Sequence, residues 1–254
     1  VASGDLSPIT GAVTLTMGSA GGANINDQSS SGDKTYTFSA GLLTVSSGQT
    51  INFSGAGVTL NANTGNNVIT VGASAAGAPL TINAGDGNDS ISAGGGNVDQ
   101  NLLATVSVNG GNGSDTVAFA NSTDAMVESQ TVAGLAFTDG LTHTSSNIES
   151  LRINTGPGGG TVNLSSVSVG TIVTGGSGDD AVSVGGGSID TTLLAGVTFN
   201  GNAGTDTIEV NDGAATSDGS YTYNAGVFKK GIVCKTIGVS NIEAAPTYSV
   251  TVSV

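Results

Sequence analysis

The sequence of 254 residues has no tryptophan, a single cysteine and only five basic residues. Nineteen aspartates and glutamates oppose those five, which gives a formal net charge of -14 at pH 7. Such a charge repels phosphate backbones and anionic lipid headgroups, so nucleic-acid binding is not expected. No run approaches the roughly 18 apolar residues of a membrane-spanning helix, so membrane insertion is not expected either.

The lone cysteine, Cys234, excludes a disulfide within the chain. Its neighbours in GIVCKTI alternate as in a strand, which predicts a buried thiol. The first residue is Val1 rather than methionine, which we interpret as the sign of a processed N-terminus. We therefore expect a secreted, soluble protein.

Glycine is abundant, with 42 residues, and Val, Ile and Leu recur every few positions beside Thr and Ser. This composition is too apolar for a disordered chain and too poor in Lys, Glu and Gln for long surface helices. It predicts an all-β protein.

The chain repeats itself at an offset of 91 residues. Residues 81–119, which begin TINAGDGND, align without gaps on residues 172–210, which begin IVTGGSGDD. YTFSAGL (36–42), SQTVAGL (129–135) and YTYNAGV (221–227) share a second template. The pattern predicts one continuous repeat domain over residues 1–254. Its units cover 36–128 and 129–220, with partial units at 1–35 and 221–254.

A shorter period lies inside each unit. Equivalent segments recur after 22 residues (61–70 and 83–92) and after 26 residues (Asp89 and Asp115), which leaves 43 residues that we interpret as two further coils of about 21. Coils of 20–26 residues with short β-branched strands predict a parallel β-helix, also called a β-solenoid. The alternative is a string of Ig-like β-sandwiches, because such a domain also has about 90 residues.

Four segments between predicted strands share the pattern G-G-x-G-x-D-x-U-x closely or completely. They are AGDGNDSIS (84–92), GGNGSDTVA (110–118), GGSGDDAVS (175–183) and GNAGTDTIE (201–209). Glycine-rich corners can turn several carbonyl oxygens toward one point while aspartate adds charge, which suits Ca²⁺. The corners therefore offer two candidate calcium sites, one per unit, with six candidate ligands: Asp89, Asp115, Asp180, Asp206, Asp86 and Asp179.

These corners resemble the repeats-in-toxin family of secreted, hemolysin-type calcium-binding proteins over about 36 residues. The resemblance implies an extracellular or cell-surface location, a prokaryotic source, and carboxylates that bridge stacked coils through calcium. The alternative is that aspartate and glycine only build the turn. Asn67 and Gly158 stand at positions equivalent to Asp89, so the corner does not require a charge there.

We find no residues that form a catalytic constellation. His143 in LTHTSS has no Cys, Glu or second His nearby in the sequence, so an exposed strand histidine is expected. The repeat register is cut at both ends, and the last residues, APTYSVTVSV, alternate as a strand. These features predict a structural subunit of an extracellular filament or surface layer that assembles with itself head to tail. A calcium-dependent adhesin module is the alternative, and a carbohydrate-active β-helix enzyme is a third interpretation.

Overall fold

A computed structural model describes residues 4–18, 21–55, 57–215, 221–224, 226–230, 235–241 and 249–251. The first twelve strands are β1 (Val13–Thr16), β2 (Gly22–Asn26), β3 (Thr35–Ser39), β4 (Leu42–Val45), β5 (Thr50–Ser54), β6 (Gly57–Asn61), β7 (Val68–Val71), β8 (Leu80–Asp86), β9 (Ser90–Ala93), β10 (Val106–Asn112), β11 (Thr116–Ala120) and β12 (Glu128–Gly134). The next twelve are β13 (Ala136–Asp139), β14 (Leu141–Ser146), β15 (Ser150–Asn154), β16 (Gly160–Val167), β17 (Gly170–Thr174), β18 (Asp180–Val184), β19 (Val197–Asn200), β20 (Thr207–Asn211), β21 (Tyr221–Asn224), β22 (Val227–Lys230), β23 (Lys235–Ser240) and β24 (Ser249–Thr251).

Among the described residues, helix is limited to two single turns, α1 (Val98–Asn101) and α2 (Ile189–Thr192). Within the described ranges, the search for a helix long and apolar enough to cross a membrane finds none. The all-β prediction from composition is therefore confirmed. By internal contacts the chain divides into two compact units, Val1–Phe119 with Gly140–Glu149, and Ala120–Asp139 with Ser150–Val254.

The first unit pairs its strands mainly in parallel. One set has the order β1-β5-β4-β3-β7-β9-β11, and the other has the order β2-β6-β8-β10-β14. Residues 22 apart pair between β6 and β8, as Val58 does with Leu80. Residues 26 apart pair between β8 and β10, as Leu80 does with Val106. The two short periods predicted from the sequence are therefore strand-pairing registers.

The second unit repeats this arrangement, with the orders β15-β17-β19-β23-β22-β21 and β13-β12-β16-β18-β20-β24. Thr171 pairs with Val197 and Ala181 with Thr207, again 26 residues apart. Parallel pairing contradicts the Ig-like alternative, because an Ig sandwich is built from antiparallel sheets.

The 43-residue remainder of each unit is not two plain coils, so that prediction is wrong. It contains an antiparallel hairpin, formed by β12 and β13 in one copy and by β21 and β22 in the next. A third copy, β3 and β4, lies near the start of the described chain. The turns contain Gly41, Gly134 and Gly226 at φ of +83°, +66° and +80°, a conformation that favours glycine. The shared template YTFSAGL therefore marks a hairpin.

Aliphatic side chains stack in register inside each unit. Ile69, Ile91 and Val117 are directly paired neighbours in β7, β9 and β11, and each is at most 1% exposed. Val182 and Ile208 make the same pair in β18 and β20. Burial of each such side chain contributes about 1.5–3 kcal/mol, so these rows stabilise the parallel pairing.

Two Leu-Leu pairs follow the helical turns, and one leucine of each pair is buried. Leu102 and Leu193 are 1% exposed, whereas Leu103 and Leu194 are 51% and 63% exposed, because they follow the helical turns and point in opposite directions. Two further predictions, the buried thiol of Cys234 and most of the terminal strand at 247–254, concern positions outside the described residues.

Candidate functional site: the acidic corner loops

Each of the four acidic segments contains the turn between two strands and the first residues of the second strand. In the first unit, the first corner (84–92) joins β8 to β9 and the second corner (110–118) joins β10 to β11. In the second unit, the third corner (175–183) joins β17 to β18 and the fourth corner (201–209) joins β19 to β20. Because the joined strands pair 26 residues apart, successive corners in each unit lie beside each other.

The aspartate at the sixth position of each corner is buried and binds backbone. Asp89, Asp115, Asp180 and Asp206 are at most 2% exposed. The Asn67 N–H donates to Asp89 Oδ1 at 2.7 Å, and the Asp89 N–H donates to Asp115 Oδ1 at 2.8 Å. The Asp115 N–H in turn donates to Glu149 Oε2 at 2.6 Å. Each carboxylate therefore holds the backbone of the preceding corner.

The second unit has the same contact. The Asp180 N–H donates to Asp206 Oδ1 at 2.9 Å, and Asp180 Oδ2 accepts from the Gly176 N–H at 2.9 Å. Such bonds to a charged acceptor are among the stronger hydrogen bonds in proteins. They supply a structural reason for aspartate at this position of the repeat.

The two remaining candidate ligands lie on the exposed rim. Asp86 Oδ1 accepts from Asn112 Nδ2 at 2.8 Å, and Asp179 Oδ1 accepts from the Thr205 N–H at 2.7 Å. In the described part of the chain, none of the six predicted ligands belongs to a group of three or more acidic, His or Cys side chains whose ligand atoms lie within 4.8 Å of one another. The geometry fits the turn role directly, and calcium at the corners stays a prediction.

The environment of the buried aspartates favours their protonated form. Burial raises the pKa of Asp89 to about 6, hydrogen bonding from Asn67 opposes the rise, and the charge of Asp115 adds to it. Burial also raises the pKa of Asp115. Asp89 Oδ2 and Asp115 Oδ2 are buried and accept no hydrogen bond in the structure. Each carboxylate thus uses one oxygen for the backbone, while the other is buried without a hydrogen bond.

The glycines of the corner make room for this packing. A Cβ at Gly110 would lie 2.6 Å from Asp115 Oδ2. A Cβ at Gly111 would overlap the carbonyl oxygen of Gly85, and one at Gly113 would overlap that of Gly87. Gly111 and Gly113 also have φ of +108° and +141°. The nonapeptide pattern is therefore explained by close stacking of neighbouring corners.

His143 is buried, so the expectation of an exposed strand histidine is wrong. Its Nδ1 accepts from the Val106 N–H at 3.1 Å, and its ring lies 5.6 Å from that of Phe119. Burial lowers its pKa to about 4. The flanking residues Thr142 and Thr144 are exposed, so the strand period places the histidine on the inner face.

A buried ion pair lies at the third hairpin. Lys230 is 4% exposed, and its Nζ lies 2.6 Å from Asp190 Oδ2 and 2.7 Å from Asp212 Oδ2. The Tyr221 hydroxyl donates to the same Asp212 oxygen. Hydrogen bonds to the two aspartates raise the pKa of Lys230, although its burial opposes the rise.

A cluster of five polar side chains surrounds the middle hairpin, β12–β13, and sequence reasoning missed it. Its members are Asn121, Asp124, Glu128, Gln130 and Asp139; all are buried except Glu128, which is half-buried. Asn121 Nδ2 donates to Glu128 Oε2 at 2.6 Å and to Asp139 Oδ2 at 2.7 Å. The hairpin template gave no signal, because it aligns Thr138 with Lys230; only the strand pairing places Asp139 at the position that Lys230 has in the next copy.

No family model, curated protein or solved structure matches this chain. Function must therefore be argued from the geometry alone.

Proposed function

We propose that the chain is a β-solenoid and serves as a non-catalytic structural subunit of an extracellular filament or surface layer, joined to copies of itself by strand addition. The observation that carries the proposal is the state of the sheet edges. Among the described strands, β2 pairs with β6 only and β24 pairs with β20 only. Each therefore has one side available for another strand.

Several features support the solenoid. Parallel pairing recurs at offsets of 20, 22 and 26 residues, as for Leu151 with Thr171. The corner aspartates tie one turn of chain to the next. An asparagine row does the same in the first unit, where Asn83 Nδ2 donates to Asn61 Oδ1 at 2.7 Å and Asn61 Nδ2 donates to Asn26 Oδ1 at 2.6 Å.

The β2 edge has few of the features that block strand addition. Its sequence, GANIN, contains no proline, lysine or other charged residue. The Asp27 N–H donates to the Asn61 carbonyl, so by alternation the backbone groups of Asn26 point away from β6. The backbone groups of Asn26 therefore lie on the side of β2 that no described strand covers.

Electron microscopy of the purified chain at native salt tests the proposal. The wild type should form filaments or sheets. Asn26→Pro should abolish them, because proline removes an N–H on the open side and no N–H used in pairing with β6. Asn26→Ala is the matched control, since it loses the same side chain and keeps the N–H. Strictly single particles of the wild type would overturn the proposal.

The second candidate is a calcium-dependent adhesin module. It is favoured by the buried oxygens of Asp89 and Asp115 that accept no hydrogen bond. Calcium at these corners should raise the melting temperature of the wild type and bind more weakly in Asp115→Asn. An unchanged calcium affinity in Asp115→Asn would exclude this site.

A further inference from the structure

The cluster at the middle hairpin brings three carboxylates to one place in the second unit. Glu128 begins β12, Asp139 ends β13, and Asp124 lies in the loop before β12. Glu128 Oε2 and Asp139 Oδ2 share two donors, Asn121 Nδ2 and Gln130 Nε2. One carboxylate oxygen of Asp124 and one of Glu128 lie within 4.8 Å of each other, whereas Asp139 is linked to Glu128 through the shared amide donors and is outside that group. Two neutral amide groups thus stand against three acidic side chains.

Two oxygens at this cluster are buried and accept no hydrogen bond. They are Asp124 Oδ2 and Gln130 Oε1, and both side chains are 2% exposed. The Gln130 amide is placed in the cluster by its contacts of 3.1 Å with Asp139 Oδ2 and 3.4 Å with Glu128 Oε2. A buried acceptor without a partner is costly, so a bound group that supplies a donor or a positive charge would stabilise this cluster.

The other two hairpins have different side chains at the positions of Gln130 and Asp139, and there the buried charge is balanced by groups of the chain itself. In the third copy, Tyr221 pairs with Lys230 across the hairpin, and the Lys230 ammonium contacts Asp212. In the first copy, Tyr36 pairs with Val45, and the Tyr36 hydroxyl donates to Asp27 Oδ2 at 2.7 Å.

The middle copy has Gln130 and Asp139 at the corresponding positions of the hairpin, so an acid stands where the third copy has an ammonium. The acidic side chains of the middle copy therefore occupy the place at which the next copy has the Lys230 ammonium group.

We propose that Asp124, Glu128, Gln130 and Asp139 bind a hard divalent cation, with calcium as the ion whose preferences they meet. The available ligands are carboxylate and amide oxygens, which hard cations prefer, and calcium accepts several of them in irregular geometry. Rotation of the Asn121 amide would add a fifth oxygen. The cation takes the role that Lys230 has in the next copy.

The charge state of the cluster supports this assignment. Burial, together with Asp124 and Asp139, raises the pKa of Glu128 to about 8. Mutual repulsion among the carboxylates is the electrostatic penalty that a bound cation removes.

The test is a melting and calorimetry series on the full chain at pH 8, with CaCl₂ or with EDTA. Calcium should raise the melting temperature of the wild type. Asp139→Asn should weaken calcium binding about tenfold or more, and in EDTA it should melt above the wild type because one charge is gone. This opposite change in the two buffers separates a cation site from a residue needed only for folding.

Two further variants sharpen the result. Asn121→Asp combined with Asp139→Lys copies the ion pair of the third hairpin, so it should melt at the same temperature with and without calcium. Glu209→Gln, at an exposed acid on β20 outside the cluster, is the matched control and should keep the wild-type calcium response. A wild type that does not respond to calcium, or an Asp139→Asn variant that responds equally, would overturn the proposal.

Discussion

Replacement of Gly111 by alanine tests whether the corners are built for close stacking. Gly111 has φ of +108°, which costs a residue with a Cβ about 1–2 kcal/mol. The added methyl group also overlaps the Gly85 carbonyl oxygen, and backbone cannot swing aside as a side chain can. Overpacking of this kind costs about 1–3 kcal/mol more. We therefore expect Gly111→Ala to lose about 2–5 kcal/mol of unfolding free energy.

Gly140 is the matched control, because its φ is +70° but nothing lies within 4 Å of the position that its Cβ would take. Gly140→Ala should lose only the conformational part, about 1–2 kcal/mol. Urea denaturation followed by circular dichroism, in EDTA so that metal does not contribute, measures both losses. Equal losses in the two variants would refute the stacking explanation of the nonapeptide.

Three other predictions concern buried polar groups. Asp115→Ala removes the acceptor of the Asp89 N–H and should lose about 1–3 kcal/mol of unfolding free energy. Asp115→Asn keeps an acceptor oxygen and should lose less. Equal losses of the two variants in urea denaturation would contradict the contact. Lys230→Met leaves Asp212 buried without its ion pair and should lose about 3–5 kcal/mol, against at most about 0.5 kcal/mol for the exposed Lys229→Met in the same assay. His143 has a folded-state pKa of about 4, so its contribution to the free energy of unfolding is complete above pH 6.5 and is lost as the pH falls toward 4. The wild type should therefore lose more stability than His143→Gln between pH 6.5 and 5. Parallel pH profiles of the two proteins would show that His143 does not titrate this way.

The sequence predicts the parts of this fold that its pattern repeats. The offsets of 22 and 26 residues follow from the corner glycines and aspartates, and these same residues set the strand registers. The antiparallel hairpins could not be seen this way, because YTFSAGL alternates like any strand and its pairing partner depends on a turn of two residues. The sequence shows that this template recurs, but it does not show that each copy forms a hairpin.

The polar interior was harder to predict, for a physical reason. His143 lies in a strand with no inward apolar residue to fix its register, so its burial depends on the neighbour that supplies the Val106 N–H. The cluster around Asp139 depends on contacts between a loop and a hairpin, which no local pattern specifies. Asp115, by contrast, stands at a fixed position in a repeated corner, so its position in the turn could be predicted although its backbone partner could not.

Sedimentation velocity over a range of concentrations at native salt tests the central claim most directly. The wild type and Asn26→Ala should shift to larger species as concentration rises, while Asn26→Pro should remain a single small species at every concentration. Wild type that sediments as one small species throughout, or Asn26→Pro that assembles like the wild type, would contradict assembly through the β2 edge.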